Sequence, residues 1–327
     1  MTDDQLHRLL VCRTPHSDSY LSDVTLIAEY IGIDATALAV ALRETAALAT
    51  LSQRGPSIAS DVEFEAPGLL AAARDTAAEQ LPAVQAPAAL RELAAATWRA
   101  GPVEVRERRD IQSAVVWASP AMVVLLPRLH SETANRWLTE RGGPPLDNSV
   151  GPLRGLLVAW RGQAAIFADG TLTESERRLT IAHEHGHLLL DYVLPRQRIL
   201  RDAPDLLDVI DGYRPQSDAD RARAALARVS LGVHTHLLQR DDHGGATEST
   251  ITAEEDATVY ALELLAPWDE VLALLRPLRD RSDSYPDRLE SAAGQLARHF
   301  DLPADAARAR AAGALAALGI RPGFFDR

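Results

Sequence analysis

Residues 183–187 read His183-Glu184-His185-Gly186-His187. Two histidines four apart lie on one face of a helix, about 40° apart around its axis, because a turn takes 3.6 residues. Two neutral imidazoles at that spacing can both reach one tetrahedral zinc ion. The glutamate between them projects beside the place where a water on that metal would sit. This H-E-x-x-H pattern therefore predicts a metal site with a general base, Glu184, attached to it. His185 is two residues from each outer histidine and points roughly 200° away from them, so it reads as a packing or surface histidine. The flanks Ile181-Ala182 and Leu188-Leu189-Leu190 are apolar. A carboxylate in such surroundings is costly without a partner.

A catalytic zinc takes three protein ligands and keeps one position open. His183 and His187 supply two. The third is sought on a neighbouring helix, and the segment 253–265 fits. It opens on Glu254-Glu255-Asp256, and Ala257 or Thr258 and Ala261 share the face of Glu254. Small residues there let two helices approach closely enough for one carboxylate to reach the metal. An acidic first turn also suits the helix dipole on its own account. Asp191 is a competing carboxylate, but it lies about 6 Å further along the helix axis than His187. That places it better as an acceptor for an imidazole N–H than as a ligand. Tyr192, Tyr260, His236 and Arg178 are the candidate donors to the oxyanion formed in hydrolysis.

The elements that must position these groups can be read from periodicity and turn chemistry. Thr173, with Glu176 three residues on, is a capping box opening the H-E-x-x-H helix. Ahead of it, Gly155–Trp160 and Ala164–Ala168 read as a β-hairpin turning at Arg161-Gly162-Gln163. Val103–Arg106, Ala114–Ala118 and Met122–Leu126 read as strands. Ala88–Arg99 and Ser131–Glu140 read as helices, the second capped by Ser131. Residues 195–251 form a long charged insertion with a helix near Asp218–Arg228. Its His234-Thr235-His236 and His243 read as a solvated loop, although histidines two apart can chelate from a strand. Because the insertion lies between the two ligand-bearing helices, it must emerge near the metal. A helix over Thr252–Leu265 stops at Pro267. Residues 286–327 are a helical tail with Leu289, Ala293, Leu296, Ala297 and Phe300 on one apolar face. The expected fold class is α+β, with a small sheet and flanking helical regions. The expected units are residues 1–80, 86–272 and 273–327.

Within 1–80, Leu21 to Arg43 reads as helix-turn-helix with Gly32 in the turn. Its second helix offers one cation, Arg43, and almost no base-reading side chain, which favours a packing or docking module over a DNA reader. Residues 55–88, rich in Ala, Pro and Gly, read as a connector. The net charge of −12 and pI near 5.3 argue against general nucleic-acid or anionic-membrane binding. All 34 Lys+Arg residues are arginine, which removes lysine Schiff-base chemistry. The single cysteine, Cys12, excludes an intrachain disulfide and a cysteine zinc site. The acidic Met1-Thr2-Asp3-Asp4 start and the lack of a long apolar run predict a cytoplasmic protein.

Two segments resemble a known family. LTIAHEHGHLLLDY is similar to the active-site helix of the ImmA/IrrE metallopeptidases, which typically read A-H-E-x-G-H-x-L-L. EEDATVYALELLAPW is similar to their second signature, E-x-x-A-N-x-F-A-x-x-L-L-x-P, with Thr258 for the usual Asn and Tyr260 for the usual Phe. The resemblance covers roughly residues 86–320. It implies a zincin-like fold, one zinc per chain on His183, His187 and Glu254, and Glu184 as the catalytic glutamate. It further implies an endopeptidase that cleaves an Xre-type helix-turn-helix repressor and so derepresses genes, as phage-, mobile-element- and stress-related members do. The rival expectation is a non-proteolytic transcriptional regulator or sensor that uses a zinc-bound metallopeptidase-like fold.

Overall fold

The computed structural model describes residues 5, 8–9, 12–16, 19–52, 85–140, 152–211, 213–227, 229, 231, 234–239, 248–280 and 282–322. The connector expected over 55–88 falls almost wholly outside the described residues, as do His243 and Arg228.

Helices α1 (Tyr20–Ile31) and α2 (Ala35–Ser52) meet at Gly32, whose φ of 78° closes the turn. Arg43 is not free for phosphate: its Nε donates to the Val116 carbonyl at 3.1 Å and its guanidinium lies 3.8 Å from the Tyr20 ring centroid. Val24, Ala28, Leu38 and Ala39 pack instead against Val105, Ala114, Val116 and Trp117. Cys12 is half-buried, its thiol donating to the Arg8 carbonyl.

Then come α3 (Ala88–Arg99), α4 (Val103–Glu107) and α5 (Ile111–Ala118). The last two correct the expectation of strands at Val103–Arg106 and Ala114–Ala118. Their β-branched residues favour strands only weakly, and Asp110 overrides them by capping α5, accepting from Ser113 N and Oγ at 3.2 and 2.6 Å. Strand β1 (Ala121–Leu126), helix α6 (Ser131–Glu140), and the hairpin β2 (Leu153–Trp160) and β3 (Gln163–Asp169) follow. Ser131 is the first residue of α6 rather than a cap ahead of it. The hairpin turns on Arg161 and Gly162, with φ of 49° and 79°, the positive values a tight hairpin turn requires.

Helix α7 (Glu174–His187) opens on the predicted capping box: Thr173 N donates to Glu176, and Glu176 N donates back to Thr173 Oγ1. It runs into a π-helical turn, Leu188–Val193, and then α8 (Leu194–Asp202). The insertion is folded: a 3₁₀ turn (Pro204–Leu206), α9 (Leu207–Ile210), α10 (Asp218–Ala227) and strand β4 (His234–Gln239). Ile199, Leu206, Val209, Ile210 and Ala224 give it a small core. An N–H bond from Arg161 to the Asp211 carbonyl ties it to the hairpin tip, and Arg196 pairs with Asp211 within it. Helix α11 (Glu248–Leu265) returns across α7, and α12 (Trp268–Leu275), α13 (Tyr285–Phe300) and α14 (Ala304–Ala317) close the chain. Arg310 of α14 is buried and donates to Glu263 at 2.7 Å and to the Ala266 carbonyl at 2.9 Å.

The mixed sheet has the order β1-β3-β2-β4, parallel between β1 and β3 and antiparallel elsewhere. Its central strands are apolar on both sides because both faces are covered. Leu157, Ala159, Ala164 and Ile166 pack in one core with Ile181 and Ala182 of α7 and with Leu296 and Phe300 of the tail. Leu156, Val158, Ala165 and Phe167, one residue out of phase, face Ala134 and Leu138 of α6. The molecule is thus α+β, and α7 lies on the sheet with Glu184 beside β2 and β4. Among the described residues, no single helix is long and apolar enough to cross a membrane.

Candidate metal centre

His183, Glu184 and His187 are 7%, 0% and 1% exposed, so the cluster is buried. The two outer imidazoles turn their Nε2 atoms toward each other at 3.1 Å. Each ring is held from behind. His187 Nδ1 lies 2.7 Å from Asp191 Oδ2, and His183 Nδ1 lies 3.4 Å from the Thr258 hydroxyl. Asp191 therefore does what its spacing predicted, and the π-helical turn brings it there. Thr258 on α11 offers a polar contact to His183.

Helix α11 supplies the third group. Glu254 Oε2 lies 3.2 Å from His183 Nε2, and Oε1 lies 3.6 Å from His187 Nε2. The close helix approach depends on Gly186. A Cβ there would meet Tyr260 Cδ1 at 3.0 Å and the Ala257 Cα and carbonyl oxygen at 3.1 Å. Of the small-residue face expected on α11, Ala257 is the residue it touches, beside Tyr260. Gly186→Val should therefore push α11 and Glu254 away from α7. Overpacking of this kind costs about 1–3 kcal/mol. Denaturant unfolding should show that loss, and zinc titration should show weakened binding. Unchanged metal affinity would mean that Glu254 does not depend on this contact.

A fourth group comes from the insertion. His236 on β4 is buried, where a solvated loop was expected. Pairing of β4 with β2, with His236 opposite Leu157, puts it there. Its Nε2 lies 2.7 Å from Glu254 Oε1 and its Nδ1 lies 2.9 Å from Glu184 Oε2. The ring stacks on His187 with centroids 3.6 Å apart. Potential ligand atoms of His183, His187, His236 and Glu254 all lie within 4.8 Å of one another.

Electrostatics bind this group tightly. Burial opposes a charge on Glu254, but hydrogen bonds from His183, His187 and His236 hold its carboxyl well below the usual range. Burial likewise opposes a charge on His236, yet Glu184 and Glu254 outweigh it and raise its pKa to about 10. Burial lowers the pKa of His183, against the pull of Glu254. On His187, burial and His236 are outweighed by Asp191 and Glu254, and its pKa rises.

The donor set fits a metal ion. Two imidazole Nε2 atoms face each other at 3.1 Å, and the Glu254 carboxylate stands beside both, Oε2 3.2 Å from His183 Nε2 and Oε1 3.6 Å from His187 Nε2. Lewis-basic atoms converge there in the way a cation would require. No protein-family model, curated protein or solved structure matches the chain. The group could hold a metal on the strength of its own atoms.

The other predicted residues go elsewhere. His185 is buried, its Nδ1 2.9 Å from the Tyr260 hydroxyl, and burial lowers its pKa to about 3. It is the packing histidine expected. Tyr260 is thereby committed to His185 and to Thr97 Oγ1, also 2.9 Å away. The Tyr192 hydroxyl accepts from Gly162 N at 2.8 Å at the hairpin turn, and Arg178 pairs with Asp301. Of the four candidate oxyanion donors, His236 is the one brought into the cluster. Sequence reasoning overlooked Gly155 of β2. A Cβ there would stand 2.6 Å from Glu184 Oε1 and 2.7 Å from Thr180 Cγ2, so its bare backbone cradles the glutamate. A glycine inside an otherwise apolar strand was the signal for such a close approach.

Proposed function

We propose that this chain is a zinc-dependent endopeptidase with a zincin-like core of the ImmA/IrrE type. Its proposed substrate is a specific protein, an Xre-type helix-turn-helix repressor. The observation that carries the catalytic reading is the convergence of His183, His187 and Glu254 on one buried point with Glu184 at its side. Two imidazoles and a carboxylate are a donor set that suits zinc. When bound, the ion supplies Lewis acidity, which polarises a peptide carbonyl and makes a water acidic near neutral pH. The chain's own residues do the rest. Asp191 and Thr258 fix the two imidazoles. Glu184 accepts the proton of the attacking water and passes it to the leaving amine. The substrate class rests on the likeness of the two signature segments to the family.

The test is metal content together with cleavage. Purified full-length protein should carry one zinc per chain. It should cut an Xre-type repressor, stop on treatment with a chelator, and resume when zinc is restored. Zinc-loaded protein that cuts neither repressors nor unfolded casein, with β4 intact or with His236 replaced, would instead support a non-proteolytic sensor.

A further inference from the structure

We propose that β4 is an internal plug, with His236 taking the coordination position that hydrolysis needs open while its ring also occupies Glu184. The proposal rests on the zinc site above and concerns its regulation. A histidine that ligates a metal gives its other ring N–H to a carboxylate or a carbonyl. The two nitrogens of His236 have those two environments. Nε2 sits on the donor side, 2.7 Å from Glu254 Oε1, and Nδ1 sits 2.9 Å from Glu184 Oε2. Four protein ligands make a closed site, whereas a catalytic one keeps a place for water or substrate. With β4 in place, Glu184 Oε2 is engaged by His236, and its Oε1 is buried against Gly155.

The plug sits where it can be withdrawn. Among the described residues, in the order β1-β3-β2-β4, the strand is outermost and pairs with β2 alone. Lifting it off would free three things together: the fourth coordination position, the acceptor oxygen of Glu184, and the edge of β2. An extended polypeptide can add to a free sheet edge as a new strand. The plug therefore lies where an extended substrate would pair. This gives the insertion a role: it keeps the centre closed to generic peptides until a partner displaces it.

Cobalt(II) reports whether a coordination position is open to an added ligand, without turnover. Full-length wild-type protein loaded with Co2+ should show the intense d–d absorption of a four-coordinate ion, unchanged by acetohydroxamate. His236→Ala should show a changed absorption, with water in the fourth position, and acetohydroxamate should shift it. Its metal affinity, by chelator competition, should fall by at least about 10-fold, the low end of what losing even an outer partner of a ligand costs. His236→Gln keeps volume and an N–H for Glu184, so it separates loss of ligation from loss of packing. It should behave like His236→Ala. Identical spectra and affinity in wild type and both variants would overturn the plug while leaving the zinc site standing. Wild-type protein that binds no Co2+ or Zn2+ would overturn the metal reading and the plug with it.

Discussion

His187→Ala is expected to lose nearly all of the one zinc per chain. His187 is the most constrained member of the group: its Nδ1 is held at 2.7 Å by Asp191, its ring is stacked under His236, and its Nε2 lies 3.1 Å from His183 Nε2. Alanine would remove one of the proposed ligands. The effect should also appear in stability. A ligand bound only by the folded state adds ~4 kcal/mol when its free concentration is 1,000 times Kd. Zinc should therefore raise the unfolding free energy of the wild type by several kcal/mol at saturation and leave that of His187→Ala almost unchanged. Elemental analysis and zinc-dependent denaturation measure the two effects. A variant that keeps its zinc would sink the site. If Glu254→Ala kept its metal while Asp256→Ala lost it, α11 would be read in the wrong register.

Glu184→Gln should do the opposite: keep the zinc and the fold, and lose the chemistry. Glutamine matches the shape of the side chain that fits against Gly155, and its amide can still meet His236. It cannot accept a proton. Loss of a general base costs about 10²–10⁴-fold in rate. The measurement is cleavage of any substrate the wild type cuts, at matched zinc content. Near-wild-type turnover would remove Glu184 from the mechanism, while loss of zinc in this variant would show that it holds the site together structurally.

What the sequence determined by itself is local. His183, Glu184 and His187 were legible because helical periodicity places i and i+4 together whatever the rest of the chain does. Asp191 was legible as a partner of His187 for the same reason, as was the capping box at Thr173, which is closed within three residues. The small face of α11 pointed to Glu254, since only small side chains allow two helices so close. The hairpin was legible from its turn residues. Local signals also misled. The β-branched runs at 103–106 and 114–118 became helices; at the second, the Asp110 cap and burial outweigh a weak strand preference.

Tertiary structure decided what lies far apart in the chain. His236 stands 52 residues from Glu184, in a polar stretch with no core periodicity. Its place is set by the register of β4 on β2, and a strand shifted by one residue would turn it to the other face. The same pairing decides that His236 faces His183, His187 and Glu254. Gly155 is similar: its glycine is visible in the sequence, but only the packing of α7 on the sheet shows that it makes room for Glu184. The sequence thus names side chains that can converge, because helix geometry is local. The state of the site, open or closed, comes from strand pairing, which is not.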